Sequence, residues 1–170
     1  MKWNTEDLFD ASLRGEVQNV KQILNTGVNP DAMGSTGLYP IHATITLYKK
    51  SNEKKKLLLE ILKILISHGA DLNVKTKPGY TACHLAAMSN NLEALKLLIE
   101  NGADKDIRDP YGNTLLTTAV ASFDGDDSIV KYLLDLGMDP LVENNRGNNL
   151  LNGLDMPRKD PIRHLFEKWL

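Results

Sequence analysis

The sequence predicts an all-α fold in which helix-turn-helix units repeat and stack into a solenoid, and three observations predict it. The first is a pair of glycine ladders. Gly27, Gly69, Gly102 and Gly137 each close a stretch rich in Leu or Ile, and Gly37, Gly79, Gly112 and Gly147 follow ten residues after each. Both ladders step by 42, 33 and 35 residues, and self-similarity at such a period marks a stacked repeat architecture. The second observation is the stretch from Pro78 to Asp104, PGYTACHLAAMSNNLEALKLLIENGAD. It reads as a tight turn, a short helix opening on Thr81-Ala82-Cys83-His84, a bend at Asn90-Asn91, a Leu-rich second helix and a glycine stop. The third is the balance of 42% apolar and 25% charged residues over 170 positions, which suits one globular domain with a real core.

The totals exclude several classes of function. A net charge of -2 gives no global attraction to nucleic acid or to an anionic membrane. Cys83 is the sole cysteine, so neither an internal disulfide nor a multi-cysteine metal site is available, as suits a reducing cytosol. The start MKWNTEDLFDAS meets acid early and has no apolar h-region, so no secretory signal is expected. The longest apolar run, Leu57 to Ile66, is broken by Glu60 and Lys63 and is too short to span a bilayer. The expectation is a cytoplasmic protein with no membrane partner.

The residues of the central stretch carry a resemblance. Gly79-Tyr80-Thr81-Ala82-Cys83-His84-Leu85-Ala86-Ala87 resembles the GxTPLHLAA start of the ankyrin repeat family, and Leu92 to Asp104 is similar to its LEIVKLLLEHGAD. The resemblance covers nearly the whole chain as five units, of which all but the third are degenerate with their phase kept. It implies an ankyrin-repeat solenoid whose helix-turn-helix units are joined by β-hairpin-like loops. The expected organisation is a single domain, 1–170, with units near 4–36, 37–78, 79–111, 112–146 and 147–170.

Unit one opens with Asn4 before Asp7, an N-cap signature. Leu8, Ala11 and Leu13, then Val17, Val20, Ile23 and Leu24, supply two inward faces around a bend at Gly15, while polar residues cover the outer side as a capping repeat requires. Unit two begins Gly37-Leu38-Tyr39-Pro40-Ile41-His42 but holds about nine residues more than the family period, an insert at 48–56. Lys49, Lys50, Lys54, Lys55 and Lys56 fill it and must be solvated, so it is expected to lengthen the bend and add a turn to a helix. Unit four enlarges its bend around Phe123 to Ser128, where Asp126, Asp127 or Ser128 caps the next helix. Unit five ends in a helix expected over Pro161 to Leu170, with Ile162, Leu165, Phe166, Trp169 and Leu170 on one face.

No catalytic constellation is visible. His42 and His84 fall where the resemblance implies a structural histidine bonded to neighbouring loops, and Cys83 replaces a buried Leu of the motif. Adjacent Cys and His on a helix point about 100° apart and make no dyad. The Asp124, Asp126, Asp127 cluster lacks the ligand order of a calcium loop, and no phosphate-binding, serine-elbow or zincin motif occurs. No enzyme activity, metal, cofactor, small-molecule substrate or nucleic acid is expected, with an enzyme of unrecognised chemistry kept as the rival reading.

What remains is a partner protein. Carried over by phase, the family's variable contact positions include Met33, Leu38 and Leu47 in unit two, and Lys77, Tyr80 and Met88 in unit three. Unit four adds Arg108, Tyr111, Asn113 and Phe123, and unit five Arg146. Tyr, Met and Arg on one face are the types that anchor interfaces. The expected function is non-catalytic protein binding through the concave groove and loop tips. Two sharper versions stay open: a bacterial immunity protein that neutralises a toxin enzyme, and a host-directed effector. The lysine insert would then be a solvated surface or a basic finger that steers an acidic partner.

Overall fold

Each unit solves the same problem first, which is how to begin a short helix whose leading N–H groups have no carbonyl to bond. The computed structural model describes residues 3–46, 52–153 and 160–170. In unit one the Asn4 amide donates to Asp7 Oδ2 at 2.8 Å and the Asp7 amide returns to Asn4 Oδ1 at 3.0 Å. The Tyr39 amide donates to His42 Nδ1 at 3.3 Å in unit two. In unit three the Thr81 amide and hydroxyl both reach His84 Nδ1, at 3.3 and 2.8 Å. Unit four uses the Thr117 amide on Thr114 Oγ1 at 3.1 Å, and unit five exchanges amides between Asn149 and Asn152. Units one, three and five make reciprocal capping boxes, and units two and four make one half of the box across the same spacing.

The helices that follow are α1 Thr5–Arg14, α2 Val17–Asn25, α3 Pro40–Thr46, α4 Asn52–Ser67, α5 Ala82–Met88 and α6 Leu92–Glu100. The order continues with α7 Leu115–Ala121, α8 Ser128–Asp135, a 3-10 turn Leu150–Gly153, α9 Asp160–Arg163 and a 3-10 helix His164–Trp169. No strand occurs among the described residues. α4 has 16 residues where α2 and α6 have 9, so it overhangs its neighbours by about 10 Å at 1.5 Å per residue. Lys54, Lys55 and Lys56 lie in that overhang, Lys56 exposed. Leu47, Lys49 and Lys50 lie outside the described residues. The expected terminal helix over Pro161 to Leu170 is instead one α turn continued as 3-10. Ile162 and Phe166 are buried, but Leu170 is 60% exposed and leaves the expected inward face.

The two glycine ladders have separate causes. After α6 the Gly102 amide donates to Ile99 O and the Ala103 amide to Leu98 O, both at 3.0 Å. This is a Schellman stop, and its left-handed residue, at φ 96°, favours glycine. The same pair of bonds closes α4 at Gly69 and α8 at Gly137. Two residues on, the side chains of Asn29, Asp71, Asp104 and Asp139 each accept the amide two positions ahead, which explains the recurring Asn or Asp of the motif. The second ladder lies in the loops. The amides of Gly34, Thr76, Asp109 and Asn144 bond the carbonyl four residues ahead, and each ladder glycine bonds back across three. That repeats one hairpin-like turn four times.

The first helices stack in the order α1, α3, α5, α7 and then the 3-10 turn, more closely than the second helices do. Small residues allow it: Ala43, Ala82, Ala86 and Ala119 are buried there. On the other side the second helices meet partly through exposed polar contacts, such as Lys21 to Glu60 at 3.1 Å and Lys96 at 5.3 Å from the Tyr132 ring centre. Closer spacing on one side curves the stack toward the first helices. One contiguous core runs from Leu8 to Phe166.

The bends differ as well. Asn90 takes the left-handed place that Gly15 holds in unit one, with φ 52°, and its side-chain amide donates to Asp124 at 2.9 Å. The enlarged bend of unit four is thus tied to unit three. Asp126 accepts the Ser128 amide at 2.9 Å, and Asp127 pairs instead with Lys131 at 2.8 Å.

Gly34 marks the tightest join between units one and two, since a Cβ built there would stand 2.7 Å from the Phe9 ring. Gly34→Ala is expected to destabilise the protein by about 1–3 kcal/mol through overpacking. The urea midpoint should fall with its slope unchanged, and adding Phe9→Leu should recover part of the loss. A midpoint equal to wild type would show that the ring yields freely.

Candidate protein-binding face

The hairpin tips form a row because each seats on the one before it. The Lys77 amide donates to Gly37 O at 3.4 Å, and the Lys77 stem packs 3.4 Å from where a Cβ on Gly37 would stand. Pro110 covers Gly79 in the same way, 3.0 Å from the position of a Cβ. Asn145 covers Gly112, and its amide donates to Tyr111 O at 3.0 Å. Between the tips run side-chain to backbone links: the Asp71 amide to Asp31 Oδ1 and the Asp104 amide to Asn73 Oδ1, each 2.9 Å. Such a row is held in place before any partner arrives.

Tyr80 and Tyr111 come together on adjacent tips. Partial burial, then the neighbouring Tyr111 hydroxyl and the Asp109 charge, raise the Tyr80 hydroxyl above its ordinary pKa. Its ring also meets His84 edge to face, 6.1 Å between centres. Tyr111 is 58% exposed, Met33 47% and Met88 42%, and Leu38 is half-buried. Lys77 and Arg146 are exposed. These residues are available to a partner.

Three others are engaged within the fold. Arg108 Nη1 donates to Gly112 O at 2.9 Å and to Glu143 O at 2.6 Å, so its guanidinium staples unit four to unit five. Asn113 donates to Asp109 and accepts from Asn144. Phe123 is half-buried against the core. Sequence reasoning missed Leu57 and Leu141, 39% and 45% exposed. Leu57 stands in the α4 overhang beside Gly15, Val17 and Gln18, where a hollow of about 410 Å³ opens.

The buried titratable groups are in states that support packing. Burial lowers His42 and His84 from 6.5 to about 4, only partly offset by the Val74 carbonyl at His42 and by Asp109 at His84. Both imidazoles are therefore neutral near pH 7, with Nδ1 as the acceptor of its box. His42 Nε2 bonds Val74 O at 3.2 Å, as the resemblance implies for a neighbouring loop. His84 Nε2 is buried with no hydrogen-bond partner among the described residues, so here that expectation is not met. Burial, with the Asp104 charge adding to it, pushes the Cys83 thiol up to about 12. A thiol so held is a core filler and a poor nucleophile. Among the described residues no group of acids, His and Cys could hold a metal ion, and no helix is long and apolar enough to cross a membrane.

Comparison with known proteins agrees with this geometry. Residues 51–144, just over half of the chain, match the model for ankyrin repeats in three copies. Among curated proteins, the ankyrin repeat-containing protein P1E11.10 of Schizosaccharomyces pombe is 31% identical over 81 residues, covering 48% of this chain and 35% of that protein. The chain thus spans about a third of the length of that relative.

Two measurements follow from the buried groups. His42 and His84 are harder to protonate folded, at about 4, than at their ordinary 6.5, so the unfolded chain binds more protons between these values. Their stability contribution is full above pH 6.5 and declines as pH falls toward 4, by about 1.4 kcal/mol per pH unit for each histidine. Urea titrations across that window should show the fall, and His42→Gln with His84→Gln should flatten it; an equal slope in the variant would assign it elsewhere. Cys83, in turn, should resist a thiol-labelling reagent at pH 7 and react when urea unfolds the chain. Rapid native labelling would contradict its burial.

Proposed function

Because the chain belongs to the ankyrin repeat family, we propose that it works as a non-catalytic module that binds another protein through the row of hairpin tips and the adjoining concave face. Ankyrin repeats are in general protein-protein interaction modules, and the finer reading is which surface this one uses. The observation that carries it is that Tyr80 and the 58% exposed Tyr111 stand on adjacent tips fixed to one another by Pro110 on Gly79.

Aromatic side chains bring large contact area at small entropic cost, and a preformed row spares the partner the cost of ordering loops. Met88 and Met33 extend the apolar contact along the first-helix side and toward unit two. Arg108 acts indirectly in this reading, by holding units four and five in register. A partner therefore meets side chains from units two to four on one rigid support.

Tyr80→Ala combined with Tyr111→Ala is expected to lower affinity for a partner recovered from the source organism by at least about tenfold, as truncated interface anchors do. The helical circular dichroism should be unchanged. Partner retention at undiminished affinity would move the binding surface elsewhere, and the same measurement on Leu57→Ala would then test the α4 hollow.

A further inference from the structure

Resting on the tip-face reading above, we infer that the segment seated on these tips is an acidic peptide stretch of the partner, met by Lys75 and Lys77 beside the tyrosine pair. The charge layout carries the inference. The chain as a whole has 22 acidic and 20 basic residues, yet the tips at 33–38, 75–80 and 108–113 hold Lys75, Lys77 and Arg108 against Asp109, with Glu6 of α1 reaching the first tip at Ser35.

Both acids are engaged by the fold, Glu6 accepting the Ser35 amide and hydroxyl at 3.0 and 2.7 Å. Asp109 accepts the amides of Tyr111 and Asn113 and the Asn113 side chain, at 2.8, 2.9 and 3.0 Å. Arg108 spends its bonds on two carbonyls, which leaves its charge without a carboxylate among the described residues. Lys75 and Lys77 are exposed, and no ion pair of either occurs among the described residues. Four other cations do find carboxylates: Arg14 with Asp10, Lys21 with Glu60, Lys105 with Asp106, Lys131 with Asp127. The face that shows the tyrosines thus carries two exposed lysines, Lys75 and Lys77, with no ion pair among the described residues.

The backbone of Lys77 is fixed by its bond to Gly37, so the ammonium moves about a fixed base. An acidic segment with an aromatic residue or proline in its midst places carboxylates on the lysines and its apolar group on Tyr111 and Met88. Attraction of this kind steers the encounter and is screened by salt over about 10 Å at 0.1 M. A nucleic acid is also an anion, but its affinity rests on many simultaneous phosphate contacts, and the tips supply few cations.

The test uses the full chain and a display library of short random peptides, with the best binder resynthesised with a fluorescein label and followed by anisotropy. The expected peptides are rich in Asp and Glu around an aromatic residue or proline. Lys75→Glu with Lys77→Glu should weaken binding by at least about tenfold, and salt raised from about 50 to about 500 mM should weaken it several-fold. Lys56→Glu with Lys63→Glu, on α4, should change little, with the circular dichroism of every variant unchanged. Neutral or basic peptides that depend on Tyr80 and Tyr111 would overturn the acidic segment while leaving the tip face standing. Peptides indifferent to both the lysine and the tyrosine pair would overturn both, and failure to enrich any peptide also counts against the inference. A labelled single-stranded oligonucleotide that binds through Lys75 and Lys77 more tightly than the best peptide would replace the peptide by nucleic acid.

Discussion

The structure depends on the box that starts each first helix. A helix of 7 residues such as α5 or α7 has most of its amides in the orphaned first turn and is far too short to persist alone. It survives because the residue before it is hydrogen-bonded to the residue three further on and because neighbouring units bury its sides. The box fixes where the helix begins, so it fixes which side chains face the next unit. Five chemistries meet this one geometric demand, carboxamide with carboxylate, imidazole with amide, imidazole with hydroxyl, hydroxyl with amide, and carboxamide with carboxamide. Sequence identity drifts while the position of the contact does not.

That is why the fold was legible and part of the face was not. The ladders of Gly27 and Gly37 expose the phase because a left-handed backbone leaves little choice of residue. Given the phase, Tyr80 and Tyr111 could be placed on adjacent tips from numbering alone. Arg108 and Asn113 share that phase but are committed to units four and five, and bonds between units depend on a register that no local pattern encodes. The terminal segment misled for another reason. Apolar residues at 162, 165, 166 and 169 satisfy a 3.6 and a 3.0 residue turn nearly equally over so short a run, and the 3-10 path leaves Leu170 outside.

Two surfaces differ in how they were made. The tip row is regular, each residue held by the loop before it, and its variation lies in side chains. The α4 overhang is a departure in backbone length that leaves Leu57 beside the Gly15 bend. The pairing of Asn90 with Asp124 likewise ties the longer bend of unit four to its neighbour. Function by recognition favours the first kind of surface, where many side chains can change without altering the support beneath them.

The five boxes also divide the chain by chemistry. Those of units four and five use only hydroxyls and carboxamides and carry nothing that ionises, whereas the imidazoles sit in units two and three, the middle of the stack. A second proton on Nδ1 removes the acceptor on which Tyr39 or Thr81 relies. Mild acid therefore acts as a wedge driven into the centre of the column. It loosens the middle of the stack while the C-terminal pair keeps its caps, where most globular folds would be expected to fray from their ends.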